Sequence, residues 1–141
     1  MGRNRMFGHS RRKFLRESYE IFKLSMQIAQ DVLNNRSEYN SEQNLIKIRN
    51  LIDLNQQLEV PTSSSSRINY YDIRTGNYAA LLSLESSCKY LSGEHSKKCD
   101  IPSFMDDEYR LNGLKRSIDD YNQKVKQQLE RFNELQKMGK F

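Results

Sequence analysis

The sequence predicts an all-α protein, an antiparallel three-helix bundle followed by a long C-terminal helix, on three observations. From Leu111 to Leu135 the residues Leu111, Leu114, Ile118, Tyr121, Val125, Phe132 and Leu135 recur at steps of three and four, with Gln128 taking one step. This narrow seam is the spacing of a helix that meets another helix, and leaving it in water would forfeit roughly 1.5 to 3 kcal/mol per large side chain. A second stripe, Leu15, Tyr19, Phe22, Met26, Ala29 and Leu33, repeats at steps of 4, 3, 4, 3 and 4. The third observation is compositional: Ile and Leu fall at helical rather than alternating spacing, and 8 Tyr and 6 Phe with no Trp supply the bulk. With 36% apolar residues and a mean hydropathy of −0.87, a chain of 141 residues builds one domain with a thin core that a partner's surface would complete.

Each element follows from local signals. Residues 1–9, with Gly2, Gly8, Arg3 and Arg5 and no periodicity, read as a basic arm. Ser10 is placed to cap a first helix that ends at Asn34 and Asn35. Asn40 with Gln43 resembles a capping box for a second helix over about residues 41 to 58, whose apolar members are Leu45, Ile48, Leu51, Ile52 and Leu58. Pro61 closes it, and the hydroxyl run from Thr62 to Ser66 is a loop because it has nothing to bury. A third helix over about residues 67 to 92 carries Tyr71, Tyr78, Leu81, Leu82, Leu84, Cys88 and Leu91. Gly76 inside it costs about 1 kcal/mol and marks a break, a close helix contact or neither. Gly93 fits the C-terminal cap, which makes residues 10–92 the bundle and residues 93–102 a polar loop ending near Pro102. Ser103 followed by Asp106 reads as a second capping box, opening the amphipathic helix of segment 103–141.

The net charge of +5 is unevenly placed. Arg3, Arg5, Arg11, Arg12, Lys13 and Arg16 all precede the first acid, Glu17, and without those six the 23 basic residues fall to 17 against 18 acidic ones. A pI near 9.2 is thus a property of the N-terminus, which argues against a nucleic-acid surface spread over the fold. The arm could still touch nucleic acid electrostatically, with Phe7 and Phe14 available for stacking. It also has the composition of a mitochondrial targeting segment, retained on the chain, of a solvated arm, or of an arm docked on an acidic neighbour. No run of 18 apolar residues exists, so no membrane span is expected.

Catalytic chemistry finds little to work with. Cys88, His95 and Cys99 are too few and too irregularly spaced for a zinc site, so no metal is expected. A disulfide between Cys88 and Cys99 would close the loop between helices in an oxidising compartment; otherwise Cys88 is a small core residue and Cys99 a surface thiol. Asp106, Asp107 and Glu108 lie in the first turn of a helix, where each favours the dipole by about 0.3 to 1 kcal/mol. Both histidines fall in the arm or a loop, away from any acid pair, and no phosphate-binding glycine loop or Ser-His-Asp order is present. The reading is non-catalytic.

One resemblance covers residues 13 to 92. The stretch Lys13-Phe14-Leu15-Arg16-Glu17-Ser18-Tyr19-Glu20-Ile21-Phe22-Lys23 is similar to the surroundings of the Leu-Tyr-Arg tripeptide in the LYR-motif proteins, small basic three-helix proteins of mitochondria, with Ser18-Tyr19-Glu20 in the tripeptide's place. Ile48-Arg49-Asn50-Leu51-Ile52-Asp53-Leu54-Asn55 resembles that family's Ile-Arg-x-x-Phe-x-x-Asn, with Ile52 where Phe belongs, and Gly76-Asn77-Tyr78-Ala79-Ala80-Leu81 resembles its glycine followed by leucines. The resemblance implies a mitochondrial accessory subunit, such as one of respiratory complex I, that binds an acyl carrier protein. Arg16, Tyr19, Lys23 and Arg49 would then meet the acidic carrier, and Phe22, Met26, Ile48, Ile52, Leu81 and Leu82, beside Tyr19, would line a slot for the acyl chain on its phosphopantetheine. No cofactor would be bound directly. Beside this stand two other readings: a structural component of a virion or ribosome-like assembly with its arm on nucleic acid, and a self-associating coiled-coil adaptor that uses the 111–135 seam.

Overall fold

The computed structural model describes residues 2–62 and 68–141, with residues 2–9 described by their backbone alone. The described residues form helices and no strand: α1 (Gly2–Asn34), α2 (Glu38–Gln57), α3 (Tyr70–Ser92), the short α4 (Glu94–Lys98) and α5 (Ser103–Lys137). Helix α1 starts at Gly2, so the segment expected as an arm is helical backbone and Ser10 is an interior position. No proline interrupts residues 2 to 9, and two glycines do not stop the backbone hydrogen-bond run. The hydroxyl loop lies outside the described residues, apart from Thr62.

The caps differ from those expected, each for a visible reason. Ser37, not Asn40, caps α2, accepting the Asn40 amide at 3.1 Å. The Asn40 side chain instead turns back to α1, donating to Asp31 at 3.0 Å and to the Asn35 carbonyl at 2.8 Å. Asn69 caps α3, whose first residue is Tyr70, by accepting the Asp72 amide at 3.2 Å. Gly93 ends α3 in the left-handed region at φ 82°, as expected, but the following loop contains α4. At α5 Pro102 occupies the cap position and Ser103 forms no side-chain cap; the fixed proline φ opens the helix instead.

Four long helices run up and down in sequence order. Asn55 bonds the Arg74 carbonyl while Arg49 meets Glu85, so α2 and α3 are antiparallel. Gln128 meets Asn77 and Ser117 meets Ser87, so α5 runs back along α3. Helix α1 lies beside α2 and reaches α5 through Tyr19 and Phe22, which contact Phe132 at ring separations of 5.2 and 5.4 Å. The C-terminal helix is therefore not an extension partly free of the bundle. It supplies the bundle's fourth wall, and residues 10–92 do not close a core without it.

Two apolar clusters fill the interior. One joins Ile48, Leu81, Leu84, Cys88, Val32 and Tyr121; the other joins Phe14, Leu15, Phe22, Tyr70, Ile73, Phe132 and Leu135, with Phe141 folded against Tyr19 and Phe132. Between them in level sits a buried polar node. Asn77 donates to the Ser18 carbonyl at 3.0 Å and to Asn55 at 3.3 Å, and Gln128 donates to Asn77 at 2.9 Å and to the Ile73 carbonyl at 3.1 Å. One amide network thus binds α1, α2, α3 and α5. Its members are satisfied in one register only, which is how a buried polar residue in an apolar seam selects an alignment. Gly76 is the close contact: a Cβ there would stand 2.1 Å from Gln128 Oε1.

Of the expected α1 stripe, Leu33 is 45% exposed, while Val32 is buried.

Candidate functional site

The first and second helices do not close upon each other along their outer edge. Phe14, Ile21 and Leu24 of α1 face Leu51 and Leu54 of α2 and Leu58 at its C-terminal cap across a groove of about 640 Å³. A second depression of about 400 Å³ continues it, sharing Leu24 and Leu51 and reaching Ile28, Asp31 and Asn44. From Ser10 to Asp31 the groove follows 21 residues of α1, about 32 Å at 1.5 Å per residue. Leu24 and Leu54 stand at its lips with 42% and 53% of their surface exposed. Covering that surface would gain on the order of 1 kcal/mol for each leucine.

The rim is acidic in a basic chain. Glu17, Glu20, Glu59 and Asp31 line the two depressions against Lys13 and Lys47. The Asn44 and Asn40 amides hold the Asp31 carboxyl below the usual range, so it stays charged. Lys13 reaches Glu17 at 4.0 Å and Lys23 reaches Glu20 at 2.6 Å, but these pairs are solvent-exposed and give way readily to another cation.

Of the residues assigned to an acyl carrier, Arg16, Tyr19 and Lys23 follow one face of α1, with Lys23 over the Tyr19 ring at 5.0 Å, and Arg49 does not join them. Arg16 is exposed. Tyr19 is packed among Phe132 and Phe141, Lys23 is paired with Glu20, and Arg49 bridges Glu85 at 3.3 Å and Glu94 at 3.0 Å. Nor do the slot residues enclose one slot. Phe22, Ile48 and Leu81 are buried at 1%, 0% and 1% exposure, with Phe22 and the half-buried Met26 in one cluster and Ile48, Ile52 and Leu81 in the other. Leu82 lies on the far side of α3, in the cleft with α5 beside Tyr90 and Asp120. Side chains that meet their own neighbours at this density leave no room for an alkyl chain.

The 111–135 seam is roofed by the chain itself. Leu114, Tyr121, Phe132 and Leu135 are buried, Ile118 and Val125 half-buried, and Gln128 is spent in the polar node. Leu111 is the exception at 63% exposure, because Gly113 turns the adjacent face toward α3 and takes the Tyr90 ring where a Cβ would lie 2.1 Å from Cε1. A coiled coil between copies would have to use other residues.

Cys88 and Cys99 are free thiols rather than a disulfide. Cys88 has no exposed surface, and burial, followed by the Glu85 and Asp31 carboxylates, pushes its thiol up to about 12, which leaves it unreactive at neutral pH. Cys99 is exposed beside the Tyr109 hydroxyl. Among the described residues no group of three or more His, Cys, Asp and Glu is arranged to hold a metal ion, and no helix is long and apolar enough to cross a membrane. The Arg3 and Arg5 side chains and Phe7, expected to serve nucleic acid, lie outside the described side chains.

The groove was not among the expected sites, although its signal is present. Phe14, Ile21, Leu24 and Ile28 form a second heptad-like stripe beside the first, and Leu51, Leu54 and Leu58 repeat at three and four. An apolar arc on α1 wider than one partner helix needs is the sequence mark of an open edge. No protein-family model, curated protein or solved structure matches this chain.

Proposed function

We propose that this protein is a non-catalytic accessory or structural subunit of a larger complex, and that it docks onto its partner through the α1–α2 groove. The observation that carries this reading is the pair of half-exposed leucines, Leu24 and Leu54, on the lips of one apolar trough that also takes in Phe14, Ile21, Leu51 and Leu58. A continuous apolar trough with a polar rim is the surface expected of a protein-binding site. The α5 seam, the other apolar face legible in the chain, is already used internally.

Replacing both Leu24 and Leu54 by glutamate tests the reading. Both side chains are half in water, so the variant is expected to keep its helical circular dichroism and to melt within about 5 °C of the parent. Native mass spectrometry of the complex isolated from the cells that make it should then show the partner with the parent chain and its loss from the variant. A folded variant that keeps its partner at full stoichiometry removes the groove from the account.

A further inference from the structure

The groove's shape and charge also specify what kind of partner segment it takes. We infer that the occupant is a basic amphipathic α-helix of about six turns from a partner protein, lying along α1 and α2 with its apolar face down and its Lys or Arg side chains toward the rim; this rests on the docking function proposed above.

Length selects a helix. A trough of about 32 Å between two parallel-sided helices, with Leu24 and Leu54 at its lips and Leu51, Leu54 and Leu58 following one wall at steps of three and four, takes a third helix with anchors at i, i+3, i+4 and i+7. An extended strand would find no partners for its amides, since the groove walls are helices whose backbone groups are already bonded to one another.

Charge selects its sign. The rim carries four carboxylates, Glu17, Glu20, Glu59 and Asp31, against Lys13, Lys47 and the Lys23 that pairs with Glu20, a small acidic excess although the chain as a whole carries +5. The acids stand along both walls: Glu17, Glu20 and Asp31 on α1 and Glu59 just past the end of α2. A cation seated over the trough beside any one of them lies within a Debye length, about 8 Å, of that carboxylate. An acidic helix, including the acidic face of a carrier protein, would meet like charge there.

The chain's overall charge makes the experiment discriminating, because unspecific attraction would favour an acidic peptide. Two fluorescent peptides of about 21 residues serve as probes, both with leucine at the i, i+3, i+4, i+7 positions, one with lysine and one with glutamate on the other face. The lysine peptide is expected to bind the full chain at least about tenfold more tightly than the glutamate peptide, by anisotropy at physiological salt. Leu24→Glu with Leu54→Glu should weaken it about tenfold or more, and Glu17→Lys with Glu20→Lys and Glu59→Lys should reverse the preference. Equal binding of the two peptides, tighter binding of the acidic one, or binding untouched by the leucine variant would overturn the inference. So would a free chain that sediments as a dimer dissociated by Leu54→Glu, which would give the groove to a second copy. Loss of the native partner from the leucine variant together with equal peptide binding would leave the docking function standing and remove only the basic helix.

Discussion

Replacing Phe132 by alanine is expected to cost about 3 to 5 kcal/mol of unfolding free energy, the range for a fully buried aromatic truncated to a methyl. Phe132 has no exposed surface and is the ring on which three others converge: Tyr19 at 5.2 Å, Phe22 at 5.4 Å and Phe141 at 6.1 Å between centroids. Those rings come from α1 and from the C-terminal tail, so the cavity would open where α1, α3 and α5 meet and none of the three could collapse to fill it without moving the others. Differential scanning calorimetry should record a fall in Tm of roughly 10 °C or more. A fall under about 3 °C would mean that α5 does not close the core at this level.

The second large effect is expected at a residue with no side chain. Gly76→Ala would place its Cβ 2.1 Å from Oε1, 2.5 Å from Cδ and 2.9 Å from Nε2 of Gln128. The end of a glutamine is flexible, and on a surface it would simply swing aside. Here it is 1% exposed and bonded to Asn77 and the Ile73 carbonyl, while its Oε1 accepts from Arg131 at 2.8 Å, so the swing leaves buried amides without partners. At about 1 to 3 kcal/mol for a stranded group, and against the roughly 1 kcal/mol that alanine returns in helix propensity, the net loss should be about 2 kcal/mol. The double variant Gly76→Ala with Gln128→Ala gives the new methyl its space, so urea melts should show the pair to be less damaging than the sum of the singles. Additive losses would show that Gly76 and Gln128 do not meet.

Most of the framework was legible in the sequence because periodicity reports burial directly. The two stripes at Leu15 and Leu111 located α1 and α5, and the single polar step in the second stripe, Gln128, is a member of the buried amide network, with three hydrogen bonds. The Gly76 alternatives resolve to a close contact for the same reason. What periodicity could not give is which helix faces which. For the seam of α5 the sequence left open whether the covering helix is in the chain or in another, because the spacing is the same in either case. It placed Leu81 and Leu82 in one slot although consecutive helical residues point about 100° apart, and one is buried while the other lies in the cleft with α5. The caps were missed by three residues at Asn40 because its amide is engaged by Ser37 and its side chain by Asp31, partners fixed by the α1–α2 turn rather than by local sequence.

The groove went unread for a related reason. Leu24 and Leu54 look like ordinary core members of their helices, and only the separation of α1 from α2 at that edge leaves them half exposed. The arginines and lysines, by contrast, drew attention to the N-terminus although several of the internal ones are consumed in holding elements together. Arg49 ties α2 to Glu85 and Glu94, and Arg110 ties α5 to Glu38 at 2.6 Å.

Hydrogen–deuterium exchange on the native complex, compared with the free chain, tests the central claim most directly. Slowed exchange on binding is expected over residues 10–31 and 44–59, with residues 103–137 unchanged because α5 is already packed against its own bundle. Protection that instead falls on 103–137, with the α1–α2 edge exchanging as it does in the free chain, would contradict it.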